Sequence, residues 1–194
     1  MKNSKIQKVV YSGIFAAITF VVFTFLSIPV PTVGGGKVSV HLGNAFVVLG
    51  ALLLGTGYGS IGGAIGLTIA DLIDPVYIVE APITFVIKLM IGVITGLIAH
   101  KIGHIETEKN HGRVRRLFVI ISAAAGLAFN AVFDPLLRYF YKILILGKPA
   151  AEVSLAINFG VTLLNSIISL VAAVILYEAL RLPLQKAGFL SAEA

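Results

Sequence analysis

Cysteine is absent from the 194-residue sequence, which excludes disulfide bonds, a thiolate nucleophile and a cysteine metal site. Tryptophan is absent too, so the aromatic side chain that binds cations best is not available. Charged residues make up 12% of the chain, roughly half their share in a soluble domain. With 58% hydrophobic residues and a mean hydropathy of +1.00, too few polar side chains remain to cover a water-facing surface. We therefore predict an integral membrane protein.

Sequence signatures of nucleotide hydrolysis and of hydrolytic catalysis are also absent. Neither Gly-Lys pair in the chain is followed by Ser or Thr, so there is no phosphate-binding loop of the Walker type. The strings H-E-x-x-H and G-x-S-x-G do not occur, and the four histidines are scattered along the chain. We expect that this chain neither hydrolyses ATP nor acts as an enzyme, and that it holds no metal or other cofactor.

Six apolar stretches follow one another along the sequence. The first is a retained helix rather than a cleaved signal peptide, because its apolar core is long and no small-residue cleavage site follows. The six predicted spans cover residues 9–28, 42–54, 58–73, 83–102, 117–146 and 153–180. We predict an all-α fold in which residues 1–194 form a single domain, an integral membrane bundle of six transmembrane helices.

The basic residues fix the predicted orientation. Most of the 15 Lys and Arg residues lie in or beside three segments, the tail 1–8, the loop 103–116 and the tail 181–194. The positive-inside rule makes all three cytoplasmic, which requires an even number of crossings and puts both termini inside. The same topology accounts for the net charge of +6, so nucleic acid is not an expected partner and membrane lipid is.

Polar residues inside the spans gather in the half that this orientation places outside. Such groups are costly in hydrocarbon, so each marks either function or pairing between helices. The inner half has no chain of ionisable groups, which argues against a channel or a proton relay. We predict an outward-open polar cup closed below by apolar packing. Its candidate binding residues are His41, Asn44, Asp71, Asp74, Lys88, Asn130, Arg138, Asn158 and Asn165.

Spacing supports the cup and also offers a simpler interpretation. Asn130, Asp134 and Arg138 recur every four residues, so they share one side of their helix. Lys88 lies roughly 9 Å into its helix, where an unpaired ammonium would be costly. The alternative is structural: Asp134 pairs with Arg138 at i,i+4, and Lys88 pairs with Asp71 or Glu80.

Two further segments have candidate roles. The outer loop 29–41 combines prolines with three glycines, a composition that suits a lid, and its candidate lid residues are Pro31, Gly34, Gly35 and Gly36. The alternative is an ordinary connector. Small residues repeat on the first helix, where Gly13, Ala16 and Ala17 form a candidate face for a partner helix. Both this face and the glycine repeats of the third helix could instead pack within the bundle.

Several strings resemble a known family. They are His41-Leu-Gly-Asn44, the glycine-rich turn at 54–59, Ala70-Asp-Leu-Ile-Asp-Pro75, and Ala81-Pro-Ile-Thr-Phe85 with Lys88. Together with the length and layout, they are similar to the substrate-binding S components of energy-coupling factor (ECF) vitamin transporters. The resemblance covers nearly the whole chain.

The resemblance implies a function and partners. It implies a subunit of the bacterial plasma membrane that captures a water-soluble vitamin outside the cell and docks, through Gly13, Ala16 and Ala17, on a transmembrane coupling (T) subunit. Two cytoplasmic ATPase subunits would then drive uptake. Within the family the chain looks most similar to the pyridoxine or hydroxymethylpyrimidine branch, with cobalamin or another vitamin as further options.

Two other classes of protein remain as alternatives. A membrane enzyme acting on lipid head groups could use Asp71 and Asp74 as metal ligands, but two carboxylates at one helix end make a poor metal site. A self-sufficient secondary carrier should show an internal repeat or ionisable residues across the midplane, and the sequence shows neither.

Overall fold

The computed structural model describes residues 5–32, 37–106, 112–147 and 151–188. Its elements are α1 (Lys5–Phe25), β1 (Ser27–Pro31), β2 (Lys37–His41), α2 (Gly43–Leu54), α3 (Tyr58–Ile73), α4 (Ala81–Gly96), α5 (Arg113–Leu144) and α6 (Ala151–Lys186). A turn of 3-10 helix at Ile78–Glu80 leads into α4, and a turn of π-helix at Leu97–Ile102 extends it.

Six helices form the bundle, and they differ in length. Among the described residues, α1, α4 with its flanking turns, α5 and α6 are long and apolar enough to cross a membrane. α2 has 12 residues and α3 has 16, or about 18 Å and 24 Å at 1.5 Å per residue. Gly55, with φ of 86°, allows the tight turn that joins these two short helices. The fold class predicted from the sequence, an all-α membrane bundle, is confirmed.

α2 lies at the centre of the bundle. All of its residues except Phe46 and Leu54 are buried, because it packs against α1, α3, α4 and α6. A helix that is apolar on all sides is expected at such a position. Below its predicted outer end, α2 contributes residues such as Leu52 to an apolar core that also contains Ile91 of α4, Val119 of α5 and Ala173 of α6. This core closes the bundle toward the predicted cytoplasmic side.

Glycines of α3 allow its neighbours to approach closely. A Cβ atom at Gly59 would overlap the backbone of Gly50 in α2, and one at Gly66 would overlap the carbonyl oxygen of Ala16 in α1. The hydroxyl of Ser12 in α1 donates a 2.7 Å hydrogen bond to the carbonyl oxygen of Tyr58. The glycine repeats of α3 therefore pack within the bundle, as small residues do between membrane helices.

The segment predicted as an outer loop contains a β-hairpin. β1 and β2 pair antiparallel, with Ser27 opposite His41 and Pro31 opposite Lys37. Prolines are compatible with a two-stranded ribbon, where each strand has a free edge that needs no N–H donor. The predicted lid residues Gly34, Gly35 and Gly36 lie outside the described residues.

Several helix ends also differ from the predicted ones. α1 ends at Phe25, three residues before its apolar run does, because the hairpin begins there. α5 begins at Arg113, so its first turn occupies part of the predicted loop 103–116. α6 continues to Lys186, into the predicted tail 181–194. The polar ends of these helices keep helical geometry beyond the hydrocarbon core, where an apolar run gives no signal.

Candidate functional site

A polar cavity lies at the end of the bundle that carries the hairpin, which is the predicted outer end. Residues from all six helices, from β2 and from the segment before α4 line it, and its volume is about 60 Å³, room for a few water molecules. Of the nine predicted binding residues, eight line this cavity: His41, Asn44, Asp71, Lys88, Asn130, Arg138, Asn158 and Asn165. Residues predicted to lie at the same depth in the membrane therefore also line the same cavity.

A buried ion pair joins α4 to α5 at the cavity wall. The Lys88 ammonium donates hydrogen bonds to Asp134 Oδ2 at 2.6 Å and to Asn130 Oδ1 at 2.9 Å. The lysine is 4% exposed and Asn130 is fully buried. The i,i+4 spacing on α5 places Asn130 and Asp134 side by side, so that both reach the same ammonium. The lysine charge is thus paired inside the bundle, as its depth requires.

Arg138 extends this network to the 3-10 turn before α4. Its Nε donates to Asp134 Oδ1 at 2.5 Å, and its terminal nitrogens donate to Glu80 at 2.9 Å and to the Thr84 hydroxyl at 2.8 Å. Lys142 lies 3.2 Å from the other oxygen of Glu80. The guanidinium, with its fork of donors, suits such a three-way contact.

The charges of this network balance. Lys88, Arg138 and Lys142 contribute three positive charges, and Glu80, Asp134 and Asp71 contribute three negative ones if all are ionised. Asp71 accepts a 2.5 Å hydrogen bond from the Thr84 hydroxyl and is 4% exposed. Because the other five groups form ion pairs with one another and the six charges cancel in sum, the cavity presents little net charge to a ligand.

The hairpin is tied to the opposite wall of the cavity through α6. The Asn165 amide accepts a hydrogen bond from the His41 backbone N–H at 3.0 Å and donates one to the Ser39 carbonyl oxygen at 2.8 Å. The His41 ring packs edge-on against Phe23, with 4.6 Å between ring centroids. β2 therefore forms one wall of the cavity.

His41 is a neutral donor at this wall. Its Nδ1 accepts a hydrogen bond from the Gly43 backbone N–H at 3.0 Å, so the ring proton is on Nε2. Burial, together with the positive charge of Lys88, lowers the pKa of His41 to about 3. The imidazole is uncharged at neutral pH and has an N–H to offer.

Asn44 differs from these paired groups. It is the second residue of the buried helix α2, lines the cavity and is 1% exposed. Within the described part of the chain, its Oδ1 has no hydrogen-bond partner. A buried polar atom left unpaired is costly, and in native structures such atoms are few.

A second, more exposed ion pair fixes the hairpin at the rim. Lys37 lies 2.8 Å from Asp74, and the Tyr77 hydroxyl donates a 3.0 Å hydrogen bond to the Lys37 carbonyl oxygen. Burial acts to raise the pKa of Asp74, but hydrogen bonds from Lys37 and from the Val76 N–H outweigh it and lower that pKa. Burial raises the pKa of Tyr77 to about 12.

Asp74 is the one predicted binding residue that does not line the cavity. It leaves α3 with extended backbone angles, φ −94° and ψ 117°, so it no longer shares the helical face of Asp71. The two carboxylates considered as a metal pair therefore have different partners, Thr84 and Lys37. Among the described residues, no group of three or more His, Asp or Glu is placed to hold a metal ion.

Several lining residues were not among the predicted binding residues. Glu80 and Asp134 were considered as pairing partners, and Asp134 also as part of the helix side that supports the cup, but neither was named as a binding residue, although their depth gave the same signal that selected the others. Further polar lining residues are Lys37, Ser39, Tyr77, Thr84, Lys142 and Thr162, and three apolar ones are Phe23, Val38 and Leu67. Lys37, Ser39 and Val38 come from the unpredicted strand, and the apolar side chains have no pattern that separates them from core residues.

The candidate docking residues divide between two faces of α1. Gly13 and Ala17 are exposed on the outside of the bundle, and a Cβ atom added at Gly13 would meet no atom of another element within 4 Å. Ala16 instead faces α3, where its carbonyl oxygen lies close to Gly66. The outward part of the small-residue surface is free to receive a partner within the described structure.

A comparison with known protein families identifies the family to which the chain belongs. No curated protein and no solved structure matches it. The sequence model of the family described as "ECF-type riboflavin transporter, S component" matches residues 3–182, nearly the whole chain. Membership implies a membrane protein that captures a vitamin and associates with ECF T and ATPase subunits. A polar cavity at one end of an apolar six-helix bundle and this match over nearly the full length agree: the chain belongs to the family of ECF-type riboflavin transporter S components.

Proposed function

We propose that this chain captures a small, neutral, single-ring vitamin or vitamin precursor, of the hydroxymethylpyrimidine or pyridoxine type, for ATP-driven uptake. The observation that carries the proposal is the charge-balanced, buried network of the cavity. Lys88, Asp134, Arg138 and Glu80 satisfy one another, so a charged ligand would have to break pairs that are already buried. A neutral polar ligand can add hydrogen bonds without that cost.

The size and polarity of the cavity support a compact ligand. Among the described lining residues only Phe23, Val38 and Leu67 are purely apolar, whereas ligand pockets are ordinarily lined mostly by apolar side chains. A single polar ring needs less apolar contact than a fused tricyclic one. At about 60 Å³ the cavity has room for only a few water molecules, so binding of a vitamin would require the hairpin and the outer helix ends to move apart.

Riboflavin is the second candidate, and the description of the matching family favours it. Its hydroxylated side chain would suit the polar walls, but its flat tricyclic ring needs a long apolar slot. The three apolar side chains would have to form that slot after the cavity opens.

Binding without nucleotide tests the proposal. The purified chain in lipid nanodiscs is titrated calorimetrically with hydroxymethylpyrimidine, pyridoxine, riboflavin, thiamine and cobalamin. We expect the tightest binding for one of the two single-ring compounds, with no ATP present. Tightest binding of riboflavin selects the second candidate, and no binding of any vitamin in the panel refutes the function in both forms.

Matched variants on α6 locate the binding at the cavity. Thr162 and Asn158 line the cavity. Gly160, between them in the sequence, is exposed on the other side of the helix, and a Cβ atom added there would meet nothing within 4 Å. Thr162→Val and Asn158→Ala should each weaken binding about tenfold, since each removes about one hydrogen bond. Gly160→Ala should leave affinity unchanged. Equal affinities in all three variants would place the ligand elsewhere.

The proposed partners are a transmembrane T subunit and two cytoplasmic ATPase subunits, with this chain non-catalytic. Reconstitution with those subunits should give ATP-dependent uptake, and omission of any one should abolish it. Uptake by this chain alone would make it a secondary carrier instead.

A further inference from the structure

We infer that the side-chain amide of Asn44 recognises one edge of the ligand's ring. On that edge, an N–H donor of the ligand lies directly beside a hydrogen-bond acceptor of the ligand. The ligand class is therefore a heterocycle with an amidine-type or imide-type edge, such as an aminopyrimidine or a cyclic imide. This inference rests on the proposed function and narrows it, because a ring with hydroxyls alone is excluded as the preferred ligand.

The first observation is the unpaired Oδ1 of Asn44. The residue is 1% exposed and lines the cavity, and this oxygen has no partner among the described residues. Elsewhere in the cavity, the amides of Asn130 and Asn165 each bond other protein groups through both ends. The structure thus offers three buried amides at the same depth, and one of them keeps an acceptor open.

The second observation is the chemistry of the group. A planar side-chain amide holds its acceptor and its donor side by side, so it pairs bidentately with an amino group next to a ring nitrogen, as Asn does with adenine. An N–H next to a ring carbonyl presents the same complementary pattern. A bidentate pair also fixes the orientation of the ring, which a single hydroxyl contact does not.

The surroundings of Asn44 favour this pairing. α2 is rigidly held, since Ala45, Val47 and Val48 around Asn44 are fully buried. His41, three residues earlier, adds a neutral Nε2–H at the same wall. A ligand that donates to Asn44 Oδ1 and accepts from Asn44 and His41 would satisfy the unpaired oxygen with no new buried charge.

Two pairs of ligands test the inference on the unmodified protein. One pair is hydroxymethylpyrimidine and its analogue with a methyl group in place of the amino group. The other pair is riboflavin and its analogue methylated on the imide nitrogen. The first analogue keeps the shape of its parent and the second adds one methyl group at the imide nitrogen, and both lose the donor. Whichever parent binds, its blocked analogue should bind about tenfold or more weakly, because Oδ1 then stays unpaired.

Substitution of Asn44 tests whether this side chain causes the preference for the parent ligand over its blocked analogue. In Asn44→Leu the preference for the parent over its blocked analogue should disappear. In Asn44→Asp the preference should persist, because the acceptor is kept, while both members of a pair bind more weakly, because the donor end is lost. If the role of Asn44 were merely structural, Asn44→Leu would weaken both members of a pair equally and keep their ratio, which would overturn the inference. Thermal unfolding of each variant checks that it folds. If a variant does not fold, the two ligand pairs measured on the wild-type protein still test the inference.

The outcomes separate this inference from the proposed function. Equal binding of parent and blocked analogue overturns the inference and leaves vitamin capture standing, as does tighter binding of pyridoxine, whose ring has no N–H beside an acceptor. Failure of every vitamin to bind refutes the proposed function and removes the inference with it.

Discussion

The outer and cytoplasmic halves of the bundle are held together by different kinds of contact. In the outer half, side chains from separate elements bond one another, as Lys88 does with Asp134 and Arg138 with Glu80. In the inner half, the contacts between helices are mostly apolar or made at glycines. Hydrogen bonds there, such as that of the Ser122 hydroxyl to the Val119 carbonyl oxygen, stay within one helix, although Ser12 and His100 each bond a backbone carbonyl of another helix. The inner half is thus fixed mainly by shape and the outer half mainly by charge and hydrogen bonding.

This difference assigns separate tasks to the two halves. Close packing of small residues gives a rigid base that has no polar group to offer a solute. A buried polar network offers many groups, but its members depend on one another, so loss of one leaves the others unpaired. Substitutions in the two halves should therefore fail in different ways.

The largest expected effect is in the outer network. Asp134→Ala should cost about 3–5 kcal/mol of folding stability, because Lys88 then lies buried without its carboxylate. Thermal unfolding in detergent measures the loss. The double variant Lys88→Met/Asp134→Leu removes both charges and should recover part of that stability, while ligand binding stays lost. If Asp134→Ala unfolds at the wild-type temperature, the network does not hold the outer half together.

A smaller effect is expected at the glycine contacts of the inner half. Gly59→Ala should destabilise by about 1–3 kcal/mol, since the new methyl group meets the backbone of Gly50 rather than a flexible side chain. Its control is Gly160→Ala, where the added methyl group points into open space. Thermal unfolding of both variants compares them, and equal unfolding temperatures would contradict close packing between α2 and α3.

Much of the fold follows from the sequence, and the reasons differ from element to element. Apolar runs located all six helices, because a bilayer requires that pattern over the length of a span. The hairpin was missed because both strands have only five residues, and β1 contains two prolines, which is the composition of a loop. Helix ends were missed where α5 and α6 continue past their apolar runs.

The site could be predicted where the depth of a residue in the membrane determines which side chains it contacts. Polar residues at one depth of a six-helix bundle avoid the lipid by facing the shared interior, so Lys88, Asn130 and Arg138 could be grouped. Asp74 could not be placed, since its position depends on where α3 ends. The open acceptor of Asn44 could not be foreseen either, because the sequence does not show which amides find partners.

A weaker effect is expected at the rim of the outer half. The ion pair between Lys37 and Asp74 is about one-third exposed, so Asp74→Asn should change stability by less than about 1 kcal/mol. If the hairpin is a lid, the same variant should speed ligand dissociation a few-fold, as measured by stopped-flow mixing. Unchanged dissociation would show that the pair does not hold the hairpin closed.

The pH dependence of this rim pair has a defined sign. The pKa of Asp74 is lowered from 3.8, so the contribution of the pair to stability is fully present above that value and is lost as pH falls through the lowered pKa. Between about pH 5 and pH 8, the difference in unfolding temperature between wild type and Asp74→Asn should stay constant. A difference that changes across this range would mean that another group controls the rim.

The smallest effect on the isolated chain is expected on the outward face of α1. Gly13→Leu and Ala17→Leu enlarge exposed positions that contact no other part of the bundle, so neither unfolding temperature nor vitamin affinity should change. Uptake by the reconstituted transporter should nevertheless fall sharply, because bulky side chains keep a partner helix from approaching closely. Ile14→Leu, at an exposed neighbouring position of unchanged size, is the control and should transport normally. Normal uptake by all three variants would remove this face as the docking surface, whereas lost uptake with intact binding would show that capture and delivery use opposite halves of one small bundle.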